Sequence, residues 1–186
     1  MKKILVLAAV LLLVASSAFA AATATGTTNL NLTVSNEANI SITTTNTTLS
    51  SGTTTFNDYT GTTNYTYQIR TTQSGGTGAI TVYISSDFSA GGGGLPSVAV
   101  PATAGDALTF TCTAAVGTPC SSAQTAGTSA VGAATAVTFG ANAHAGAPGA
   151  VATNGATGSV NWNFTNDPKY PTGSYQAVAT FTISAA

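Results

Sequence analysis

The chain has 186 residues, of which four are Lys or Arg and five are Asp or Glu. Charged residues therefore make up 5% of the chain, whereas an ordinary soluble domain carries about 25%. Hydrophobic residues reach 44%, which excludes the weakly hydrophobic, highly charged class of disordered chains. The shortage of Lys and Arg excludes nucleic-acid binding through phosphates, because that affinity depends on cationic side chains.

Residues 1–20 have the pattern of a bacterial secretory signal peptide. Lys2 and Lys3 precede an apolar run from Ile4 to Val14, and Ala18-Phe19-Ala20 forms a cleavage site of the A-x-A type. The apolar run has about 11 residues and a membrane-spanning helix needs about 20, so the run is too short for an anchor. We therefore expect a cleaved leader, an exported protein at the cell surface or outside the cell, and no transmembrane segment in the mature chain.

Residues 21–36 contain an alternating apolar stripe directly after the leader. Leu30, Leu32 and Val34 are separated by polar residues, so they would share one face of a β-strand. Natural edge strands are commonly guarded by Lys or Pro, and this stretch has neither. Two interpretations are open: the stripe is the first strand of the chain's own sheet, or it is donated to the sheet of a neighbouring copy.

The same period-two alternation continues to the end of the chain, and helical spacing is absent after the leader. The apolar residues of the predicted strands are Ile40 and Ile42; Tyr65, Tyr67 and Ile69; Ile80, Val82 and Ile84; Leu108, Phe110 and Cys112; Val137 and Phe139; Val160, Trp162 and Phe164; and Tyr175, Ala177, Ala179, Phe181 and Ile183. Turn-forming residues predict loops over 73–78, 90–96 and 141–158.

Eight or nine short strands without a helix predict an all-β fold. We expect an antiparallel β-sandwich of immunoglobulin-like or jelly-roll type, forming one domain over residues 37–186. Trp162 lies in the middle of an alternating stripe, which favours a core position over an exposed platform for a sugar ring.

Cys112 and Cys120 are the only cysteines, and seven residues separate them. Gly117 and Pro119 favour a turn that returns the chain to disulfide distance. An exported protein is exposed to oxidising conditions, so we predict a disulfide. The alternatives are two free thiols or a metal site, but two cysteines and His144 provide too few ligands for structural zinc.

The sequence contains no recognisable catalytic or cofactor site. His144, the only histidine, lies in a predicted loop with no acidic residue near it in sequence, so a Ser/His/Asp centre is not supported. The acidic residues are scattered beside turns, which argues against a pair of catalytic carboxylates and against a calcium site. We expect a protein that is not an enzyme and that binds neither a metal nor a cofactor.

The segment Tyr170-Pro171-Thr172-Gly173-Ser174-Tyr175, with the alternating strand that follows it, resembles the last strand of bacterial surface β-sandwiches. These are the spore-coat-U-like proteins, the archaic chaperone–usher pilus subunits and the WxL-type domains. The resemblance implies a pilin-like fold whose groove accepts a strand from the next subunit, with a periplasmic chaperone and an usher as partners. It also implies that residues 28–35 are the donor and that the strand from Tyr175 to Ile183 borders the acceptor groove. In pilins a disulfide commonly ties the first strand to the domain, whereas both cysteines here lie in the middle of the chain.

These observations predict a structural subunit of an extracellular filament that assembles by strand donation. Leu30, Leu32 and Val34 are the expected donor residues, and the expected acceptor or core residues are Trp162, Phe164, Tyr175, Phe181 and Ile183. The alternative is a monomeric adhesin or carbohydrate-binding module that uses its Gly-rich loops and tyrosines such as Tyr59 and Tyr83.

Overall fold

A computed structural model describes residues 24–88, 95–147 and 155–186. The predicted leader lies outside these residues, as do parts of the predicted loops over 90–96 and 141–158. The chain divides into two units, residues 1–33 and residues 34–186. In the first unit, residues 24–33 form neither helix nor strand, and every strand of the described residues lies in the second unit.

The second unit is an all-β sandwich, as the alternation predicts. The described residues contain no helix, and their strands are β1 (Glu37–Ile42), β2 (Ser50–Ser51), β3 (Tyr59–Arg70), β4 (Gly78–Ser86), β5 (Thr109–Ala114), β6 (Thr118–Pro119), β7 (Gln124–Thr125), β8 (Ala134–Phe139), β9 (His144–Ala145), β10 (Ala156–Phe164) and β11 (Val178–Ala185).

Two antiparallel sheets make up the sandwich. The larger sheet has seven strands in the order β1-β3-β10-β5-β7, with β2 and β9 also paired to β3. The smaller sheet has four strands in the order β11-β4-β8-β6. In this arrangement β1 and β11 are edge strands of different sheets, and β3, β4 and β10 are interior strands.

The core lies between the inner faces of the two sheets. Tyr65 of β3 packs on Phe181 of β11 with a ring-centroid distance of 5.7 Å, and Tyr67 packs on Phe139 of β8 at the same distance. The stripe Ile80, Val82 and Ile84 is 0%, 0% and 3% exposed. The apolar residues that alternate in the sequence therefore face the core, and burial of their surface stabilises the sandwich.

The predicted disulfide is present and joins the two sheets. Cys112 lies in β5 of the larger sheet, and Cys120 directly follows β6 of the smaller sheet; their Cα atoms are 5.4 Å apart. Gly117 makes the intervening turn with φ of +90°, a conformation that glycine adopts without steric cost. The bridge encloses a short loop, yet it connects strands that share no backbone hydrogen-bond ladder.

Three predicted boundaries differ from the structure. Residues 24–36 form no strand, so the stripe of Leu30, Leu32 and Val34 is not the first strand of the sandwich; β1 begins at Glu37. The predicted loop over 141–158 contains β9 and the start of β10. The last strand begins at Val178 rather than Tyr175.

Candidate functional site

A groove lies between the edges of the two sheets. Its volume is about 530 Å³. One wall is residues 42–49, which begin with the last residue of β1, and the other is residues 175–179 with Phe181, which include the start of β11. Ile84, Leu108 and Trp162 line it from the core. Their own exposure is at most 6%, so the groove reaches down to the buried side chains of both sheets.

The groove exists because the sandwich is incomplete along the flank between the edge strands β1 and β11. On β11, Ala179, Phe181 and Ile183 pair with the inward-facing residues of β4, yet all three remain half-exposed. Ile40 and Ile42 of β1 are half-exposed in the same way, although their partners Tyr67 and Tyr65 are buried. Within the described residues β11 pairs only with β4, so its other edge carries backbone groups without a strand partner.

The two edge strands β1 and β11 are connected at one end of the groove, and the groove is open at the other end. The side-chain amide of Asn36, just before β1, donates a hydrogen bond of 2.8 Å to the carbonyl oxygen of Ala185, the last residue of β11. At the opposite end of β11, residues 175–179 and Ile42 line the groove. A segment that entered the groove would therefore reach it at the Val178 end.

Trp162 links the core to one groove wall. Its indole nitrogen donates a hydrogen bond of 2.8 Å to the hydroxyl of Thr63, whose oxygen lies 2.6 Å from the hydroxyl of Thr47. The ring packs edge-on against Phe110 with a centroid distance of 5.4 Å. Because Trp162 is only 6% exposed, its ring is not presented as a platform for a sugar.

Of the five residues predicted to line the acceptor groove or the core, the structure brings three together at the groove. Trp162, Tyr175 and Phe181 line the groove. Phe164 does not: it is buried between Phe88 and Tyr170, at centroid distances of 5.1 and 5.8 Å. Ile183 lies farther along β11 and is half-exposed.

The predicted donor residues are on the surface. Leu30, Leu32 and Val34 are 93%, 85% and 58% exposed, which is unusual for large apolar side chains in an alternating pattern. Of the residues named for sugar binding, Tyr59 and Tyr83 are half-buried, and a carbohydrate ligand remains a prediction.

One groove wall has almost no signature in the sequence. The segment 43–48 reads Thr-Thr-Thr-Asn-Thr-Thr, which looks like an ordinary polar connection. Leu49, which directly follows this segment in the sequence, packs against the core. This single apolar residue is the only sequence signal that the segment folds against the sandwich.

Two carboxyl groups that are distant in the sequence come together. The side chains of Asp106 and Asp167 lie close enough to shift each other's pKa, which corrects the expectation that the acidic residues are scattered. Hydrogen bonds from the hydroxyl of Thr103 and the N–H of Lys169 lower the pKa of Asp167, whereas desolvation and the neighbouring Asp167 raise the pKa of Asp106.

His144 is in a different position from the one predicted. It lies in β9 opposite Arg70, and its Nδ1 is 3.0 Å from the carbonyl oxygen of Asn142. In the described parts of the chain no three His, Cys, Asp or Glu side chains are grouped closely enough to hold a metal ion. The same residues include no apolar helix of sufficient length to cross a bilayer.

Comparisons with known proteins find no matching family model, no similar curated protein and no similar solved structure. The groove and the exposed apolar stripe are therefore interpreted from their own chemistry.

Proposed function

We propose that this protein is a non-enzymatic subunit of an extracellular homopolymer, and that each copy donates residues 28–35 to the groove of the next. The observation that carries the proposal is the half-exposed inner row of β11 beside an edge to which no strand of the described residues is paired. An added strand would supply backbone hydrogen bonds to that edge and apolar side chains to the groove.

Residues 28–35 have the length and pattern that such a strand needs. Eight extended residues span about 26 Å at about 3.3 Å per residue, which is also the length of the eight-residue β11. Leu30, Leu32 and Val34 recur at every second position, so all three would point into the groove together. Burying these exposed side chains would contribute favourable free energy of about 1.5–3 kcal/mol for each one fully covered.

The two ends of β11 support assembly from head to tail. A donor segment leaves the sandwich at Asn36, beside Ala185, and the groove of a second copy is open at the Val178 end. Each copy would then donate at one end and accept at the other. A contact of this heterologous kind repeats into a filament unless the rotation between subunits closes a ring.

The scarcity of charge supports the same proposal. After removal of the predicted leader, Arg70 and Lys169 are the only cations, beside five acidic residues in the whole chain. Low net charge leaves little electrostatic repulsion between copies. An exported protein would assemble at the cell surface. Before donation, a periplasmic chaperone would cover the groove and an usher would then receive the subunit.

The experiment compares two full-length variants that carry the same number of new charges. Leu30→Asp with Leu32→Asp places two carboxylates on the donor face, whereas Asn29→Asp with Asn31→Asp places them on the opposite face. We expect wild type and the Asn29/Asn31 variant to form filaments, seen by electron microscopy and as a ladder in native gels. We expect the Leu30/Leu32 variant to stay monomeric.

Mixing tests whether the groove is the acceptor. Phe181→Arg should block the groove and leave the donor intact, so this variant alone should be monomeric. Mixed with the Leu30/Leu32 variant, it should yield dimers, because one partner supplies only a donor and the other only a groove. Wild type that stays monomeric at high concentration, or filaments that survive in the Leu30/Leu32 variant, would contradict the proposal.

A further inference from the structure

Arg70, the last residue of β3, binds the chain at the point where the exposed segment meets the sandwich. Its Nε donates a hydrogen bond of 2.7 Å to the carbonyl oxygen of Ser35, and its Nη2 donates one of 2.8 Å to the carboxylate of Glu37. Glu37 is the first residue of β1 and lies directly opposite Arg70 in the register of β1 and β3. One guanidinium group therefore binds the first residue of the sheet edge and also a residue two positions before it.

Asn36, which lies between Ser35 and Glu37, is held by the other sheet. Its side-chain amide donates to the carbonyl oxygen of Ala185 at the end of β11, which belongs to the smaller sheet, whereas Arg70 belongs to the larger one. Ser35 and Asn36 are part of no strand, so these side-chain bonds take the place of a backbone ladder. Residues 35–37 are thus bonded to both sheets.

The ion pair of Arg70 and Glu37 is better suited to fixing a position than to stabilising the fold. It is the only salt bridge among the described residues, in a chain with few charges. The two side chains are 43% and 75% exposed, and an exposed pair adds little to the free energy of unfolding. The guanidinium is a rigid fork, however, and two of its N–H donors bind two acceptors at once, which restricts the direction of the chain at Ser35.

No flexible linker separates the proposed donor from the sandwich. The donor ends at Ser35 and β1 begins at Glu37, so only Asn36 lies between them. Two steps of at most about 3.6 Å each therefore connect the donor to the sheet, whereas a flexible linker needs several residues, commonly Gly or Ser. The nearest glycine before β1 is Gly26, on the far side of the donor. A copy that donates residues 28–35 must bring its own sandwich directly against the open end of the acceptor's groove.

We propose that Arg70 is a positioning residue for strand donation: by binding Ser35 and Glu37 together, it makes the donor leave every copy in the same direction. This inference rests on the proposed function. A donor that already points in one direction loses less conformational entropy when it enters a groove. The same contact gives every joint of the polymer one angle, so the filament is stiff rather than a flexible string of subunits.

The first experiment measures the contact in monomers, where it does not depend on filaments. The full-length Phe181→Arg variant, whose groove is blocked, is the background, and nitrogen-15 relaxation gives the order parameter of the Ser35 amide. We expect about 0.85 with Arg70 present and a value below about 0.6 in Arg70→Gln and in Arg70→Lys. Lys keeps the charge but lacks the fork of donors. Lys169→Gln is the matched control, because it removes the other cation and should leave Ser35 ordered.

A second monomeric background guards against misfolding of the first. The variant Leu30→Asp with Leu32→Asp is altered only outside the strands of the sandwich, and Arg70→Gln should loosen Ser35 there as well. Circular dichroism would verify that each variant is folded.

The second experiment measures the stiffness of filaments by electron microscopy. Wild type and Lys169→Gln should have the same persistence length, and Arg70→Gln should shorten it several-fold. Insertion of two glycines between Ser35 and Asn36 should also shorten it, because the insertion lengthens the joint. A Ser35 amide that stays ordered without Arg70, or Arg70→Gln filaments of unchanged stiffness, would overturn the proposal. Wild type without filaments would contradict strand donation itself, and the monomer measurement would then decide separately whether Arg70 fixes the segment.

Discussion

The indole nitrogen of Trp162 donates a hydrogen bond to the hydroxyl of Thr63, and each of the two side chains is 6% exposed. If a buried N–H donor of this kind loses its acceptor, no water molecule is present to accept the hydrogen bond instead. The hydroxyl of Thr63 also contacts Thr47, so a buried residue that lines the groove from the core is connected through one hydroxyl to the wall formed by residues 42–49.

Thr63→Val should destabilise the sandwich although it keeps the shape of the side chain. It leaves the buried indole N–H without its acceptor, a loss that costs about 1–3 kcal/mol in the free energy of unfolding. Urea denaturation followed by Trp fluorescence would measure the change. Thr62→Val at the neighbouring exposed position is the control, and it should change the free energy by less than about 0.5 kcal/mol. Equal effects of the two substitutions would show that the buried bond contributes nothing.

Reduction of the Cys112–Cys120 bridge should lower the free energy of unfolding, because the bridge connects the two sheets. A loop of this length corresponds to about 2–3 kcal/mol in the chain-entropy description. Thermal melting with and without a reductant would measure the loss. The double variant Cys112→Ala, Cys120→Ala should melt at the temperature of the reduced wild type and should not respond to reductant.

Alternation predicted the long strands well, because a period of two is a local property of the chain. The stripe Ile80, Val82 and Ile84 became buried core, and so did Val160 and Trp162. The two-residue strands β2, β6, β7 and β9 are too short to have a period, and they were missed.

The groove could be predicted only in part. The stripe of Leu30, Leu32 and Val34 has the same pattern as the paired strands, and periodicity does not show whether a strand has a partner. One groove wall precedes residue 50 and the other follows residue 174, so their proximity depends on sheet order, which the apolar pattern does not encode. The meeting of Asp106 with Asp167 was missed for the same reason.

Gly158→Ala should disrupt the core at the ring of Tyr65. Gly158 pairs directly with Tyr65, and a Cβ atom at this position would lie 2.5 Å from the ring carbon Cε2. Tyr65 is 1% exposed and has no free space to move into, so we expect a loss of about 1–3 kcal/mol in the free energy of unfolding. Gly140→Ala is the control, since nothing lies within 4 Å of its Cβ. A Gly158→Ala protein as stable as the control would contradict the packing described for β10.

The carboxylate of Asp87 organises the chain between β4 and β5. The N–H groups of Phe88 and Val98 donate to its Oδ1, each over 2.7 Å. Its Oδ2 accepts from the hydroxyl of Ser97 over 2.7 Å and from the N–H of Ala99 over 3.0 Å. Partial burial by itself raises the pKa of Asp87, but the four hydrogen bonds together outweigh it, so the pKa is lower than that of an ordinary aspartate.

This lowered pKa predicts how Asp87 contributes to stability as the pH changes. A carboxyl group whose pKa falls on folding stabilises the folded state fully above its unfolded pKa of about 3.9, and the contribution is lost as the pH falls toward the folded value. Asp87→Asn removes the ionised acceptor at every pH. The difference in unfolding free energy between wild type and this variant should therefore be largest near neutral pH and should shrink as the pH falls below about 4. Urea titrations at a series of pH values would measure it, and a difference that does not change with pH would show that ionisation of Asp87 does not matter to the fold.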